Sequence, residues 1–314
     1  MTTDQAIEQF LEYLEVERNY SPLTIELYKR YLKRFSEWLA ETHSKATPQD
    51  IDEEVVRRYR LYLARLTGPN GERLKKVTQT YYLIALRALL RYLTVQRNVV
   101  TLSPDRIDLP KTGSRDITFL GSEEIERLLS SPDSSNLPGL RDRAILEMLF
   151  STGLRVSELT RLNREQIDLE RKELGVIGKG SKARVVFLSD SAAEWVGHYL
   201  KSRGDYFRPL FIRYAGAEDI SKDGEKMRLT PRSVQRIVKK YAKMCRLQVK
   251  TSPHTLRHSF ATDLLIAGAD IRSVQEMLGH ENITTTQVYT HVTDRHLKEV
   301  HRAFHGKGKQ VKDE

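Results

Sequence analysis

Three features of the sequence predict a mainly α fold in two domains, with one small β-hairpin in the second. Apolar residues recur at helical spacing through most of the first hundred positions. From Asn98 to Thr118 that period is lost, and Pro104, Pro110 and Gly113 appear among scattered charges. Helical signals then resume, interrupted once by β-branched residues flanking a glycine-rich turn in LGVIGKGSKARVVFL, Leu174–Leu188.

Residues 1–100 read as four helices. Ser21-Pro22 is a good helix start, and Tyr28, Leu32, Phe35 and Leu39 then form one apolar face. Thr47-Pro48 or Asp52 can cap a third helix that carries Val55, Tyr59 and Leu63 on one side. Gly68-Pro69-Asn70-Gly71 is a break, after which Tyr82, Leu86, Leu89 and Leu93 repeat the period. A small helical bundle follows. Residues 98–118 read as an interdomain linker.

The second domain, 119–314, opens at Gly121-Ser122, where Ser122 can cap a helix with Glu124 and Glu126 near its positive end. A helix through Arg141–Phe150 ends at Ser151-Thr152-Gly153, and another starts near Arg155. After the hairpin, helices resume at Ser189, Thr230-Pro231, Ser252-Pro253 and near Asp270. Residues 214–228, polar and holding Gly216 and Gly224, read as a long surface loop. There are no internal repeats.

With 39% apolar and 30% charged residues, the 314-residue chain reads as soluble and globular. No run of eighteen apolar residues predicts a membrane span, and the opening MTTDQAIEQF lacks the features of a secretory signal. A single cysteine, Cys245, suits a reducing cytoplasm. The net charge of +10 favours a polyanionic partner. Residues 1–110 hold 17 Lys+Arg against 15 Asp+Glu, and residues 111–314 hold 35 against 27, so most of the excess lies in the second domain. Basic stretches such as Lys29-Arg30 and Lys75-Lys76 read equally well as solvated helix faces.

Five places can carry chemistry, and each has an ordinary reading. Arg155, in STGLRVSEL, can simply pair with Glu158. Lys179 sits at a hairpin tip, where lysines are usually just solvated. In SPHTLRHSFAT, His254 and Arg257 share a helix face. His254 and His258 have zinc-ligand spacing but lack the glutamate of H-E-x-x-H, so no metal is expected. His280, in MLGHENITTTQ, reads alone as structural, and Tyr289 is one of 14 tyrosines.

Together they suit a phosphodiester. Two arginines can fork donors onto its non-bridging oxygens without losing charge. Histidines move protons near neutrality, and a lysine whose pKa is lowered by cationic neighbours can protonate a leaving oxygen. A tyrosine becomes a usable nucleophile where arginines stabilise its anion. Such a set needs neither metal nor ATP, because a covalent tyrosyl phosphate conserves the energy of the broken bond.

The ordered set Arg155, Lys179, His254-x-x-Arg257, His280, Tyr289, in the contexts STGLRVSEL, GKGSKAR, SPHTLRHSFAT and MLGHENITTTQVYTHV, resembles the tyrosine recombinases. Spacings of 24 from Arg155 to Lys179, 23 from Arg257 to His280 and 9 from His280 to Tyr289 are similar to the Xer branch. The resemblance covers nearly the whole chain. It implies a two-domain, C-shaped DNA clamp, with a helical, SAM-like core DNA-binding domain ahead of the catalytic one. It implies that Arg155 and Arg257 hold the scissile phosphate, that Lys179 is the general acid and that His254 assists proton transfer. His280 would hydrogen-bond the phosphate, and Tyr289 would attack to give a 3′-phosphotyrosine and a free 5′-hydroxyl. Glu158 would orient Arg155. Asp263 and Glu281 depart from the family's usual residues.

Implied partners are two duplex DNA sites joined through a Holliday junction, and three further copies of the chain in a tetramer closed by an exchanged C-terminal helix. A related recombinase or a DNA translocase is a further candidate partner. The absence of an extra amino-terminal domain favours resolution of chromosome or plasmid dimers over regulated phage integration. Three alternatives stay open: a mobile-element or phage-type integrase, a monomeric tyrosine-type topoisomerase, and a catalytically silent DNA-binding module.

Overall fold

The computed structural model describes residues 1–43, 46–68, 70–110, 118–178, 183–216 and 223–279. The chain divides into two units, Met1–Arg115 and Asp116–Glu314, each with a hydrophobic core of its own.

Four helices build the first unit: α1 (Thr3–Val16), α2 (Pro22–Thr42), α3 (Glu53–Arg65) and α4 (Lys76–Val95). Their starts follow from local chemistry. Ser21 accepts from the Thr24 N–H with Pro22 in the first turn, and Asp52 accepts from the Val55 N–H at 2.8 Å. Thr47 instead opens a short 3-10 turn, Pro48–Asp50. The apolar faces meet in a core where Leu32, Phe35, Tyr59, Leu86, Leu89 and Leu93 are buried. Each large apolar side chain there stabilises the unit by roughly 1.5–3 kcal/mol.

The stretch read as a linker is in part a strap on this unit. The Leu102 N–H donates to the Ile51 carbonyl, Ile107 is buried in the helical core, and Val99 and Leu109 pack against it. Arg106 pairs with Glu53 and Arg87 with Asp105. These contacts fall at irregular spacing, so no periodic pattern marks them.

In the second unit α5 (Ser122–Ser130) is capped by Gly121 rather than Ser122, and Glu124 reaches back to accept the Gly121 N–H. The central helix α6 (Leu137–Thr152) is buried on every side, with Ala144, Ile145, Leu146, Met148 and Leu149 inaccessible. It packs against α5, α8 (Asp190–Ser202), α9 (Pro231–Met244) and α10 (Pro253–Ile266). Between α7 (Val156–Arg161) and α8 lies an antiparallel sheet in the order β1 (Ile167–Asp168), β2 (Glu173–Ile177), β3 (Ala183–Phe187). Leu174 pairs with Val186 and Val176 with Arg184, which places Arg184 on the core-facing side of the sheet. The two paired strands are as the sequence predicts, residues 179–182 of the turn between them lying outside the described residues; β1 is an additional short strand.

Ser189, Thr230, Ser252 and Asp270 are the N-caps of α8, α9, α10 and α11 (Ile271–Leu278). Of the segment 214–228, residues 217–222 lie outside the described residues, and the rest is less loop-like than its composition suggests. Tyr214 hydrogen-bonds Tyr199, Glu225–Met227 forms a 3-10 turn, and Arg228 donates to the Thr160 and Leu162 carbonyls. Among the described residues no helix is long and apolar enough to cross a membrane.

Candidate active site

The site is assembled at two left-handed glycine turns. α6 ends at Gly153, whose φ is +58°, and a Cβ there would lie 2.5 Å from Phe260 Cδ1. Leu154 is buried and pins the turn, and Arg155 follows as the residue that starts α7. α11 ends at Gly279, with φ +64°.

Glu158, on the first turn of α7, holds Arg155 twice. Its Oε2 accepts the Arg155 backbone N–H at 2.9 Å, and its Oε1 accepts from Nη1 at 3.0 Å. Arg155 Nη2 donates to the Gly279 carbonyl at 3.2 Å. The ion pair that Arg155 could form as an ordinary surface residue is therefore also the device that aims it.

Arg257 rises from α10 and is only 4% exposed. It donates through Nη1 to the Gly153 carbonyl and through Nη2 to the Leu278 carbonyl, tying the ends of α6 and α11 together. His254 lies one turn earlier on the same helix and reaches solvent. Partial burial, then the positive charges of Arg257 and Arg155, push its pKa below the ordinary imidazole value. Both effects favour the neutral imidazole. His258 is shifted the same way by burial, His254 and Arg257. No three His, Cys, Asp or Glu side chains gather at metal-ligand distance among the described residues.

Arg155, His254, Arg257 and Glu158 are therefore brought to one place. Lys179, His280 and Tyr289 lie outside the described residues, as does Lys182. For two of them the flanking residues are described: β2 and β3 lie on either side of residues 179–182, and Gly279, which immediately precedes His280, accepts from Arg155.

Arg184 is the residue that sequence reasoning missed. Its Nη1 and Nη2 donate to Glu158 Oε1 and Oε2 at 3.2 and 2.8 Å. Burial works to raise the Glu158 pKa, but hydrogen bonds from Arg184 and Arg155 outweigh it and hold the carboxyl below its usual range. The signal was present in the alternation of ARVVF, which puts Arg184 in phase with inward-facing Val186.

Residues 118–296 match the phage integrase family, and residues 7–97 match the phage integrase N-terminal SAM-like domain. The chain is 38% identical to the tyrosine recombinase XerC of Syntrophus aciditrophicus (strain SB), over 98% of this chain and 99% of that protein. It is 35% identical to the tyrosine recombinase XerD of Lacticaseibacillus casei, over 96% and 99%. Among solved structures, XerH site-specific recombinase bound to palindromic difH substrate in a post-cleavage complex superposes with a TM-score of 0.71 at 25% identity, covering 95% of this chain and 85% of that one. A lambda integrase dimer bound to a core site shares the fold, with a TM-score of 0.69 at 17% identity over 91% and 97%. With family matches across both units and whole-length relatives of one kind, the chain belongs to the phage integrase family of tyrosine recombinases, among the Xer recombinases.

Proposed function

We propose that this protein is a site-specific recombinase that cuts and rejoins duplex DNA, resolving chromosome or plasmid dimers in the cytoplasm. The observation that carries this reading is the convergence of Arg155 and Arg257 on the end of α11, one residue before His280, with His254 one turn before Arg257 and in the field of both guanidiniums. Arg155 and Arg257 bind the non-bridging oxygens of the scissile phosphate, and His280 adds a hydrogen bond. His254 accepts the phenolic proton as Tyr289 Oη attacks phosphorus. Lys179 delivers a proton to the departing 5′ oxygen, which leaves a 3′-phosphotyrosine and a 5′-hydroxyl. Attack by the 5′-hydroxyl of a second duplex reverses the step, gives a Holliday junction after one exchange and completes recombination after two.

Buried tyrosines elsewhere are tuned the wrong way for a nucleophile. Burial chiefly raises the pKa of Tyr59, Tyr199, Tyr214 and Tyr241. The fixed arginine charges occupy the role that metal ions serve in two-metal nucleases, so the reaction runs without metal or ATP.

Four copies act together. Residues 293–304 lie outside the described residues, but in the sequence Leu297, Val300 and Phe304 have the spacing of a single stripe on a helix that Thr293 could cap, and so short a helix would have to pack on something to persist. The second unit offers a cleft of about 510 Å³ with Phe119, Leu129, Phe150 and Ile266 on its walls beside Glu126 and Asp263. That lining suits an apolar stripe flanked by Lys298 and Arg302 from a neighbouring copy.

The test is a denaturing gel of the full chain with a nicked suicide substrate in excess EDTA. Wild type should form a covalent adduct, and Tyr289→Phe should bind the same DNA without forming one. An adduct with the Phe variant would move the nucleophile from Tyr289 to another tyrosine, a loss of the wild-type adduct restored only by Mg²⁺ would overturn the metal-free mechanism, and no adduct under either condition would defeat the reading.

A further inference from the structure

We propose that Arg184 is the counter-charge of Glu158, and that by neutralising this carboxylate it leaves the charge of Arg155 directed at the scissile phosphate. The inference rests on the recombinase reading of the site and adds a positioning residue to it.

Glu158 is 7% exposed; its Oε1 accepts from the guanidiniums of both Arg155 and Arg184, and its Oε2 from the Arg184 guanidinium and the Arg155 backbone N–H. Arg184 meets it as a fork, one nitrogen to each oxygen. Arg155 offers a single guanidinium nitrogen to Oε1 and directs another to the Gly279 carbonyl. One carboxylate between two arginines leaves one unit of positive charge. That charge resides where the site opens, because the Arg155 side chain is 31% exposed and the Arg184 side chain 15%.

Without Arg184, the buried carboxylate would face Arg155 alone. The pair would be neutral, and a phosphate approaching Arg155 would also meet the field of Glu158 at close range in a poorly solvated setting. Glu158 cannot be dispensed with either, since it accepts the Arg155 backbone N–H and fixes the side chain. A second cation resolves the conflict, because it keeps the aiming contact and removes its electrostatic cost.

Geometry ties Arg184 to the rest of the site. A Cβ on Gly279 would sit 3.1–3.2 Å from Nη1, Cζ and Nε of Arg184, so the guanidinium packs over the residue whose carbonyl receives Arg155. Arg184 stands on β3, just after residues 179–182, and therefore joins the strand that follows Lys179 to the Arg155 cradle.

The experiment measures the rate of covalent-adduct formation at saturating suicide substrate for the full-length Arg184→Gln, Arg184→Lys and Arg184→Gln/Glu158→Gln proteins. Arg184→Gln should slow the adduct on the order of 100-fold, the usual scale for losing an electrostatic contribution at such a site. DNA affinity should change little. Neutralising the carboxylate as well should recover roughly a tenth or more of the wild-type rate, and Arg184→Lys should retain more activity than Arg184→Gln. A double variant as slow as Arg184→Gln, or Lys and Gln variants equally slow, would overturn the counter-charge role. Melting temperatures and single-site binding identify a variant that fails to fold, in which case the Lys variant decides the question. Failure of the recombinase reading itself would show differently, as no covalent adduct from the wild-type chain.

Discussion

Arg257 and Arg155 end on consecutive carbonyls, those of Leu278 and Gly279, at 2.7 and 3.2 Å. The C-terminal end of a helix favours cations, so α11 orders the two guanidiniums relative to each other before any DNA binds. Arg257 should consequently matter for both folding and chemistry. Arg257→Ala, which removes charged donors from two buried carbonyls, is expected to cost about 2–4 kcal/mol of stability by urea unfolding. Arg257→Lys should be more stable than the Ala variant yet lose most adduct formation, because an ammonium cannot fork. Wild-type cleavage by the Lys variant would show the forked geometry to be dispensable.

His254 gives a pH prediction. Burial and the charges of Arg257 and Arg155 disfavour its imidazolium, so the neutral form persists below the ordinary imidazole value of about 6.5. Cleavage should hold its rate down to that pH and fall only as His254 takes up a proton. An NMR titration should place His254 below ordinary histidines, and Arg155→Gln should move it up by removing one cation. Titration above the ordinary value in the wild type would contradict the placement of these charges.

Lys179 and Lys182 can be separated by the leaving group. Lys179→Ala should be slow on an ordinary phosphate and largely rescued on a 5′-phosphorothiolate, whose sulfur departs without a proton. Lys182→Ala should match wild type on both substrates. Equal rescue of the two variants, or rescue of neither, would reassign the general acid.

The tail is tested by truncation. Removing residues 293–314 should leave single-site DNA binding nearly intact while abolishing a four-copy complex on paired sites, read by native gels or light scattering. Synapse assembly by the truncated chain at wild-type concentrations would mean that the segment packs within its own subunit.

Much of this fold is legible because its cues are local. Ser189, Thr230, Ser252 and Asp270 each announce a helix start through a side chain that can reach an N–H two or three residues ahead. Ser122 misleads because Glu124 can perform the same service from the other side for a glycine cap. The strap through Ile107 has no period to read, and β1, two residues long, falls below any alternation pattern. In the site, Arg155 and Glu158 lie one helical turn apart and can be paired from spacing. The contact from Arg184 to Glu158 spans 26 residues and two kinds of element. A sequence reading assigns such a charge to solvent unless strand phase is taken literally.

The burial of α6 on every side has a kinetic consequence for Arg155, which lies just beyond its end. Amides in the middle of such a helix trade hydrogen for deuterium only when the whole unit opens. α11 is eight residues long and buries only Val274 and Leu278, so its amides exchange through local fraying. The two helix ends that flank Arg155 should therefore differ widely in lifetime: the end of α6, which Arg155 follows in the chain, persists as long as the unit stays folded, while the Gly279 carbonyl is released and recaptured many times in that interval. Deuterium uptake followed through both helices would show the slow and fast phases meeting at this one side chain.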